Sequence, residues 1–454
     1  MGSQGHPQPR QARLRAATLV SALTSDAALL VISTLDTKGP EAGYIRDRLV
    51  SHGYSVLVLD IGILGDPLGV VPDFSNDDIA RCGGAGIDDL RNSGTRGRAV
   101  AKMARCARKK VRDLYEQGRI LGAIGLGGAE GAVMASAALQ TLPLGVPKIV
   151  LSPIASGRHQ FDPLVGTSDM MVMHTVVDIL GLNRIATTVF DNAVAALIGM
   201  VEHGHTLASM GRSDRQVAIT MLGNTTTSVM AAKARLEDHG YEAVIFHANG
   251  IGGPAMEELA EQGMFCGILD LTTNELVGNL LGGVHVGGPE RFRTGARLGI
   301  PQVIIPGCLD FAVYTPSSIP VDLRTRPLYD HNPEYTLVRT SAEESEILGR
   351  QLAELVNAAS GPVQVLVPLG GLSIPNAPGK VFHDPEADQR MVHALQSNLR
   401  PGIPIEYHQG HVNDPDFGIA AADAVVSLME LAPKSLFKHQ NEASKQPILT
   451  LKGE

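Results

Sequence analysis

The chain has no tryptophan, and only 4% of its 454 residues are aromatic. Its formal net charge at pH 7 is −9. Proteins bind nucleic acids by stacking bases on aromatic rings and by neutralising phosphates with Lys and Arg, and this composition offers little of either. We therefore exclude nucleic acid as the main ligand. A small anion bound by main-chain amides remains compatible with the composition.

Cysteine is scarce, and its spacing forms no known pattern. The four cysteines contain no Cys-x-x-Cys pair and lie far apart in the sequence, at Cys82, Cys106, Cys266 and Cys308. This usage is typical of a reducing compartment and argues against both a disulfide framework and a structural zinc site. We expect buried thiols and a cytoplasmic location.

Long apolar runs are also missing from the printed sequence. Gly, Pro and polar residues interrupt every candidate for the run of about 20 apolar residues that crosses a bilayer, so we expect no membrane partner. Residues 1–25 contain Arg10, Arg13 and Arg15 but no acidic residue and no secretory apolar segment. We expect a disordered arm over residues 1–26, although an organelle transit peptide has a similar composition.

Two stretches of the chain have the same pattern. Residues 31–54 and 217–241 each run from an apolar strand through a polar turn into a helix that ends in Arg-Leu-x-x-His-Gly-Tyr. A second apolar strand follows in both copies, and parallel strands need a helical crossover. The pattern therefore predicts an α/β fold with two doubly wound Rossmann-like domains, which have mostly parallel sheets and are related by internal duplication.

The domain boundaries follow from the positions of the two copies. We predict a first domain over residues 27–211, a second domain over residues 212–431 and a tail over residues 432–454. Residues 66–86, rich in Gly, Pro and Asp, are predicted as a long loop. In the second domain, strands are predicted at 217–221, 243–247, 266–269, 302–305 and 363–368.

Two turns of the first domain are candidates for ligand binding, because open parallel sheets bind ligands beyond the carboxyl ends of their strands. In the glycine run 125–132, the amides of Gly127, Gly128, Glu130 and Gly131 lie where a helix N-terminus attracts an anion. The turn 34–40 provides Thr34, Asp36, Thr37 and Lys38. If the turns are neighbours, Lys38 would balance phosphate charge, while Asp36 either holds Mg²⁺ or a ribose hydroxyl or caps the helix. Neither turn is a Walker loop or a G-x-G-x-x-G fingerprint.

The second domain offers acid and base side chains instead. Its turn 223–228 has hydroxyls but neither Lys nor Asp, which suits a carboxylate or a sugar, and residues 247–253 could form a second anion nest. His285, His411 and Asp414 are the candidate catalytic residues, because they lie in Gly- or Asn-rich loops. No spacing such as His-Glu-x-x-His selects a metal, so the metal identity stays unknown.

Several separate motifs together resemble one known family. They are Thr-Leu-Asp-Thr-Lys at 34–38, Gly-Leu-Gly-Gly-Ala-Glu-Gly at 125–131, the loop 152–157 with 166–169, Gly-Gly-Val-His at 282–285 and His-Val-Asn-Asp-Pro at 411–415. Over about residues 29–431 the chain resembles the ATP-binding domain family of the tomato mosaic virus resistance protein. It is similar to the free-standing microbial members, because the TIM-barrel extension of the plant version is missing.

The resemblance implies two Rossmann-like subdomains, ATP in the first of them, and a homodimer. The plant protein uses this region to bind and inhibit a viral replication protein, a role that does not transfer to a microbial-type member. By position, Thr34, Asp36, Thr37, Lys38, Gly127, Gly128, Glu130 and Gly131 would surround the nucleotide. Ala129 and Ala132 depart from the hydroxyl residues expected at these positions in related sequences, which would weaken a triphosphate site.

Three functional hypotheses remain open from the sequence. The preferred one is an ATP-binding protein, with or without Mg²⁺, that acts as an enzyme of small-molecule catabolism on an anionic substrate near the interdomain cleft. One alternative places metal-dependent hydrolysis or carbon–carbon cleavage in the second domain, at His285, His411 and Asp414. The other is a non-enzymatic, nucleotide-gated module that binds a protein partner.

Overall fold

The computed structural model describes residues 27–155, 162–206 and 215–432. These residues form two compact units, and the chain divides between Gly211 and Arg212. The arm expected over residues 1–26 and the tail from residue 433 onward lie outside the described residues.

The first unit is a five-stranded parallel sheet with helices on both faces. The strand order is β2-β1-β3-β4-β5, and every pairing in it is parallel. The elements in chain order are β1 Ala28–Ser33, α1 Leu35–Ser51, β2 Val56–Asp60, α2 Asn76–Cys82, α3 Ile87–Arg91, α4 Arg96–Glu116, β3 Ile120–Leu126, α5 Ala129–Leu139, β4 Lys148–Ser152, α6 Asp162–Val165, β5 Met171–His174 and α7 Arg184–His203.

Strand β1 shows why this sheet is covered on both faces. All six of its residues are buried, and successive side chains of a strand point to opposite faces. Leu30 and Ile32 accordingly join one hydrophobic cluster, while Leu29 and Val31 join another on the opposite face. A continuous apolar run of this kind is typical of a central parallel strand.

The second unit repeats this arrangement with a larger sheet. Its strand order, β14-β13-β9-β8-β6-β7, is all parallel. The elements in chain order are β6 Gln216–Met221, α8 Thr226–Asp238, β7 Glu242–His247, α9 Gly252–Glu261, β8 Gly267–Asp270, α10 Glu275–Leu281, α11 Thr294–Leu298, β9 Gln302–Ile304, β10 Phe311–Tyr314, β11 Leu328–Asp330, β12 Thr336–Arg339, α12 Ala342–Asn357, β13 Val363–Pro368, α13 Pro385–Asn398, β14 Ile405–His408 and α14 Pro415–Leu431.

The two sheets confirm the predicted fold class. In both units the first strand lies between the second and the third, as β2-β1-β3 and β7-β6-β8. The five strands predicted for the second unit correspond to β6, β7, β8, β9 and β13. The sequence did not predict the antiparallel three-stranded sheet β10-β12-β11. The loop predicted over 66–86 was wrong in part, because Ser75 and Asp78 form a capping box that starts α2.

Helix α7 corrects one expectation about apolar runs. By length and composition alone, Arg184–His203 could cross a membrane. A single helix of this kind is weak evidence, because core helices have similar compositions. Phe190, Ala193 and Leu197 on this helix pack into the core of the first unit. Asp191, in its middle, accepts hydrogen bonds from Tyr44 and Arg48.

Candidate functional site

The strand order of the first unit reverses between β1 and β3, and ligands of doubly wound sheets bind at such a point. The two strands end together, with Ser33 paired to Leu126. A methyl group added at Gly131 would lie 3.4 Å from Oγ1 of Thr34. The turns that follow β1 and β3 therefore face each other. We call residues 34–38 and 127–131 the first crest.

Main-chain amides without a hydrogen-bond partner among the described residues lie on one side of the first crest. Helix α5 begins at Ala129, and its N-cap residue Gly128 makes no side-chain capping bond. The N–H of Ala132 donates to the carbonyl of Gly128, so the amides of residues 129–131 precede the first intrahelical bond. A methyl group at Gly127 would lie 2.6 Å from the nitrogen of Ala132. Only glycine allows this close approach of the backbone.

The turn 34–38 places hydroxyls on the other side of the first crest, while its one ammonium group is engaged elsewhere in the fold. The Oγ1 atoms of Thr34 and Thr37 are 3.1 Å apart, and the backbone leaves helical geometry at Lys38, where φ is −126° and ψ is 20°. The ammonium of Lys38 donates to the carbonyl of Ile179. Glu130 also points away from the crest and accepts from Nε of Arg96 at 2.7 Å.

Two carboxylates lie beneath the turn after β1. Oδ2 of Asp36 accepts from the amides of Leu64 and Gly65, both at 3.2 Å. Oδ1 of Asp60 accepts from the amides of Leu35 at 3.0 Å and Gly62 at 2.8 Å. Asp36 therefore holds the loop after β2. The choice that the sequence left open for it, between helix capping and ligand binding, is not decided by these contacts.

Asp60 was not among the residues predicted for the site. It is 1% exposed, and its Oδ2 is buried without a hydrogen-bond partner in the described part of the chain. Burial raises the pKa of this carboxyl to about 6, and the nearby charge of Asp36 adds to the effect. The sequence could have indicated Asp60 by its position, since it is the one charged residue of the apolar strand Val56–Asp60 and stands at its carboxyl end.

The corresponding crest of the second unit, between β6 and β8, is filled by the protein's own side chains. Oγ1 of Thr225 and Oγ1 of Thr272 are 2.8 Å apart, which joins the two turns directly. The amide of Thr227 donates to Oδ1 of Asn413 at 2.8 Å, and the amide of Ser228 does so at 3.5 Å. The amides at this helix N-terminus already have an acceptor, unlike those of α5.

The anion nest predicted over residues 247–253 exists, but an internal carboxylate occupies it. Oε1 of Glu275 accepts from the amides of Gly250 at 2.8 Å and Gly253 at 3.1 Å. Its Oε2 accepts from Nε of Arg291 at 2.6 Å. Arg291 is fully buried and also forms a two-bond pair with Asp270 at 2.7 and 2.8 Å. This nest serves the fold of the second unit.

The three candidate catalytic residues do not form one group. Nδ1 of His411 accepts from the amide of Asn413 at 3.0 Å, so its Nε2 carries the proton and donates to the carbonyl of Ser373 at 2.7 Å. Oδ2 of Asp414 accepts from the amide of His411 at 2.7 Å. His285 instead contacts Asn274. Among the described residues, no hydrogen bond or ion pair joins His285 to the other two.

No metal site emerges from the part of the chain that the structure describes. Within residues 27–155, 162–206 and 215–432, no group of three or more His, Cys, Asp or Glu side chains is placed to hold a metal ion. The metal identity, which the sequence left unknown, is therefore still unknown.

Family models match both units of this chain. Residues 27–206 match the N-terminal domain of the Uncharacterised protein family (UPF0261), and residues 214–429 match its C-terminal domain. The chain belongs to the UPF0261 family. A UPF0261 protein of Clostridium tetani (strain Massachusetts / E88) is 36% identical over 404 residues, which cover 88% of this chain and 99% of that protein.

Two tomato proteins also match this UPF0261 chain. The ToMV susceptible protein tm-1(GCR26) of Solanum lycopersicum is 34% identical over 442 residues, 92% of this chain and 57% of that protein. The ToMV resistance protein Tm-1(GCR237) is 32% identical over 96% of this chain and 60% of its own length. This chain therefore spans less than two thirds of the tomato proteins. A solved structure of a UDP-N-acetylglucosamine 2-epimerase is 12% identical, and the match covers 95% of this chain and 100% of the epimerase chain. Its TM-score is 0.19, so no conclusion is drawn from this match.

Proposed function

We propose that the first unit binds ATP, with the polyphosphate at the first crest. The single observation that carries the proposal is the closeness of Gly131 to Thr34: a methyl group added at Gly131 would lie 3.4 Å from Oγ1 of Thr34. This closeness brings the amides at the start of α5 next to the hydroxyls of the turn 34–38. Amides at a helix N-terminus and a nearby ammonium are the groups that proteins use to hold phosphate.

Each group at the first crest would have a distinct part in holding the nucleotide. The amides of residues 129–131 would donate to phosphate oxygens, and Thr34 and Thr37 would add hydroxyl donors. Lys38 would exchange the Ile179 carbonyl, its present partner, for a phosphate oxygen, which is the stronger acceptor because it is charged. Asp36, which belongs to the first crest, would hold Mg²⁺ or a ribose hydroxyl. The protein would then be an ATP-binding enzyme that acts on an anionic small molecule.

The contacts favour this proposal over the alternatives drawn from the sequence. A metal-dependent hydrolase or lyase at His285, His411 and Asp414 requires these residues to act together, yet His411 already uses both ring nitrogens within the fold. A nucleotide-gated binding module would share the ATP site and differ in turnover. Conversion of ATP or of a small molecule by the purified protein would distinguish the enzyme from the module.

Isothermal titration with Mg-ATP tests the site. Lys38→Ala should weaken binding about 10- to 100-fold, the effect of one lost charged hydrogen bond. Gly128→Ala should also weaken binding, because its methyl group would enter open space at the crest and meet the ligand rather than the protein. Gly199→Ala is the matched control, since its methyl also meets no neighbour but lies in α7. Equal affinity in all four proteins would refute the proposed site.

A further inference from the structure

Three histidines of the second unit lie on segments that meet near the carboxyl ends of β6 and β7. His247 ends β7 and pairs in register with Met221, the last residue of β6. His331 follows β11, and its Cε1 would lie 3.9 Å from a methyl group at Gly223, two residues beyond Met221. The carbonyl carbon of His285 would lie 3.2 Å from a methyl group at Gly250. We call these three side chains the histidine cluster.

The hydrogen bonds around Asn274 fix the tautomer of His285. Nδ2 of Asn274 donates to the carbonyls of Cys308 and Phe311, both at 2.7 Å. The oxygen of this amide therefore faces His285 and accepts from its Nδ1 at 2.7 Å. Since Nδ1 carries the proton, Nε2 presents a lone pair. No partner of Nε2 lies within the described part of the chain.

The surroundings of His285 keep its imidazole neutral. Burial lowers its pKa to about 4, and the charges of His247 and His331 add to the effect. His247 and His331 are both exposed, and an imidazole ring carries at least one N–H donor. The cluster thus combines one acceptor of fixed tautomer with two exposed imidazoles. His411 lacks this property because both of its nitrogens have partners in the fold.

We propose that the histidine cluster binds a small hydroxylated anion. The hydroxyl of the ligand donates to Nε2 of His285, and its anionic group accepts from the imidazoles of His247 and His331. A simple carboxylate without a hydroxyl leaves the lone pair of His285 without a donor, and a site built around such a bond discriminates against that analogue. This site lies within the second unit and does not depend on ATP binding at the first crest.

The experiment uses the full chain with ¹³C- and ¹⁵N-labelled histidine, followed by NMR. The probes are glycolate, which has a hydroxyl, and acetate, which lacks one. Glycolate should shift the signals of His247, His285 and His331 in a saturable way and should bind at least about tenfold more tightly than acetate, the ratio for one lost hydrogen bond. The ¹⁵N shifts should also show His285 protonated at Nδ1 alone.

His285→Asn isolates the proposed contact. The amide N–H of the new asparagine can still donate to Asn274, so the fold is preserved while the acceptor at Nε2 is lost. Glycolate and acetate should then bind with equal affinity. His393→Asn, on the exposed face of α13, is the control and should keep the wild-type preference. Equal affinities for the two probes in the wild-type protein, or no saturable shift at the three histidines, would overturn the proposal.

Discussion

Replacing Asp60 by asparagine should stabilise the first unit at neutral pH. Asparagine has the same shape, and its side-chain oxygen can still accept from the amides of Leu35 and Gly62, as Oδ1 does at 3.0 and 2.8 Å. The substitution replaces Oδ2, which is buried without a partner. It also removes a negative charge that lies next to Asp36. The protein would lose an unfavourable charge and keep both favourable hydrogen bonds.

The size and the pH range of this effect follow from the raised pKa of Asp60. Its pKa rises from an ordinary 3.8 to about 6 in the folded protein, which corresponds to at most about 3 kcal/mol at about 1.4 kcal/mol per pKa unit. Because the folded-state value is the higher one, the associated stability is fully present below about pH 4 and is lost as the pH rises through about 6. Asparagine stays neutral, so its advantage should be about 1–3 kcal/mol at pH 7.5 and close to zero at pH 4.

Native-state hydrogen exchange with mass spectrometry can measure this difference within one unit of the full chain. The amides of β1 and β2 report the first unit, and those of β6 and β8 provide an internal reference. Asp66→Asn is the matched control, because it makes the same change in net charge at an exposed position. The reasoning fails if Asp60→Asn brings no gain at pH 7.5, if the gain persists at pH 4, or if the control shows an equal gain.

Three further predictions concern contacts within each unit. Arg291→Met should lower the unfolding free energy of the second unit by about 3–5 kcal/mol in urea at pH 7, because it leaves a buried carboxylate cluster without its cation; a loss below about 1 kcal/mol would contradict this. Gly39→Ala would place a methyl 1.7 Å from the carbonyl oxygen of Leu68, so hydrogen exchange of residues 62–70 should accelerate, and unchanged exchange would count against it. Asn413→Ala should cost the second unit about 1 kcal/mol in the same urea assay through the lost helix cap, and wild-type stability would show that the cap contributes nothing.

The sequence predicted the architecture well because its strongest signals were long and repeated. The duplicated strand-helix-strand predicted the neighbouring parallel strands at one edge of each sheet, β2-β1 and β7-β6, since a parallel pair permits few connections. The small antiparallel sheet escaped prediction because β11 and β12 are only three and four residues long and follow a proline-rich stretch. Helix α2 was missed although Ser75 and Asp78 have the capping-box spacing, because the glycines and prolines around them dominated the composition.

The candidate site was predictable only where main-chain geometry defines it. Glycines between a strand and a helix, as at residues 127–131, identify a crest because this pattern is local in sequence and does not depend on side chains from other parts of the chain. The occupants of the other crests come from far along the chain: Asn413 caps α8, and Glu275 fills the nest at Gly250. Partners separated by this much sequence leave no local pattern, so the hydrogen bond from His411 to the carbonyl of Ser373 could not be predicted.

The two crests differ in whether the helix amides beside them already have an acceptor, although the helices compared follow different strands: α8 follows β6, and α5 follows β3. In the second unit an internal amide oxygen accepts from the amides of Thr227 and Ser228 at the start of α8, and a threonine pair joins the two turns, so these donors serve the fold. In the first unit α5 starts at two glycines without a side-chain cap, and a buried carboxyl with an unpaired oxygen lies next to the facing turn. Both features cost stability, and uncompensated costs of this kind concentrate where a protein binds its ligand. This contrast between the two crests adds to the approach of Gly131 to Thr34, the observation on which the nucleotide proposal rests.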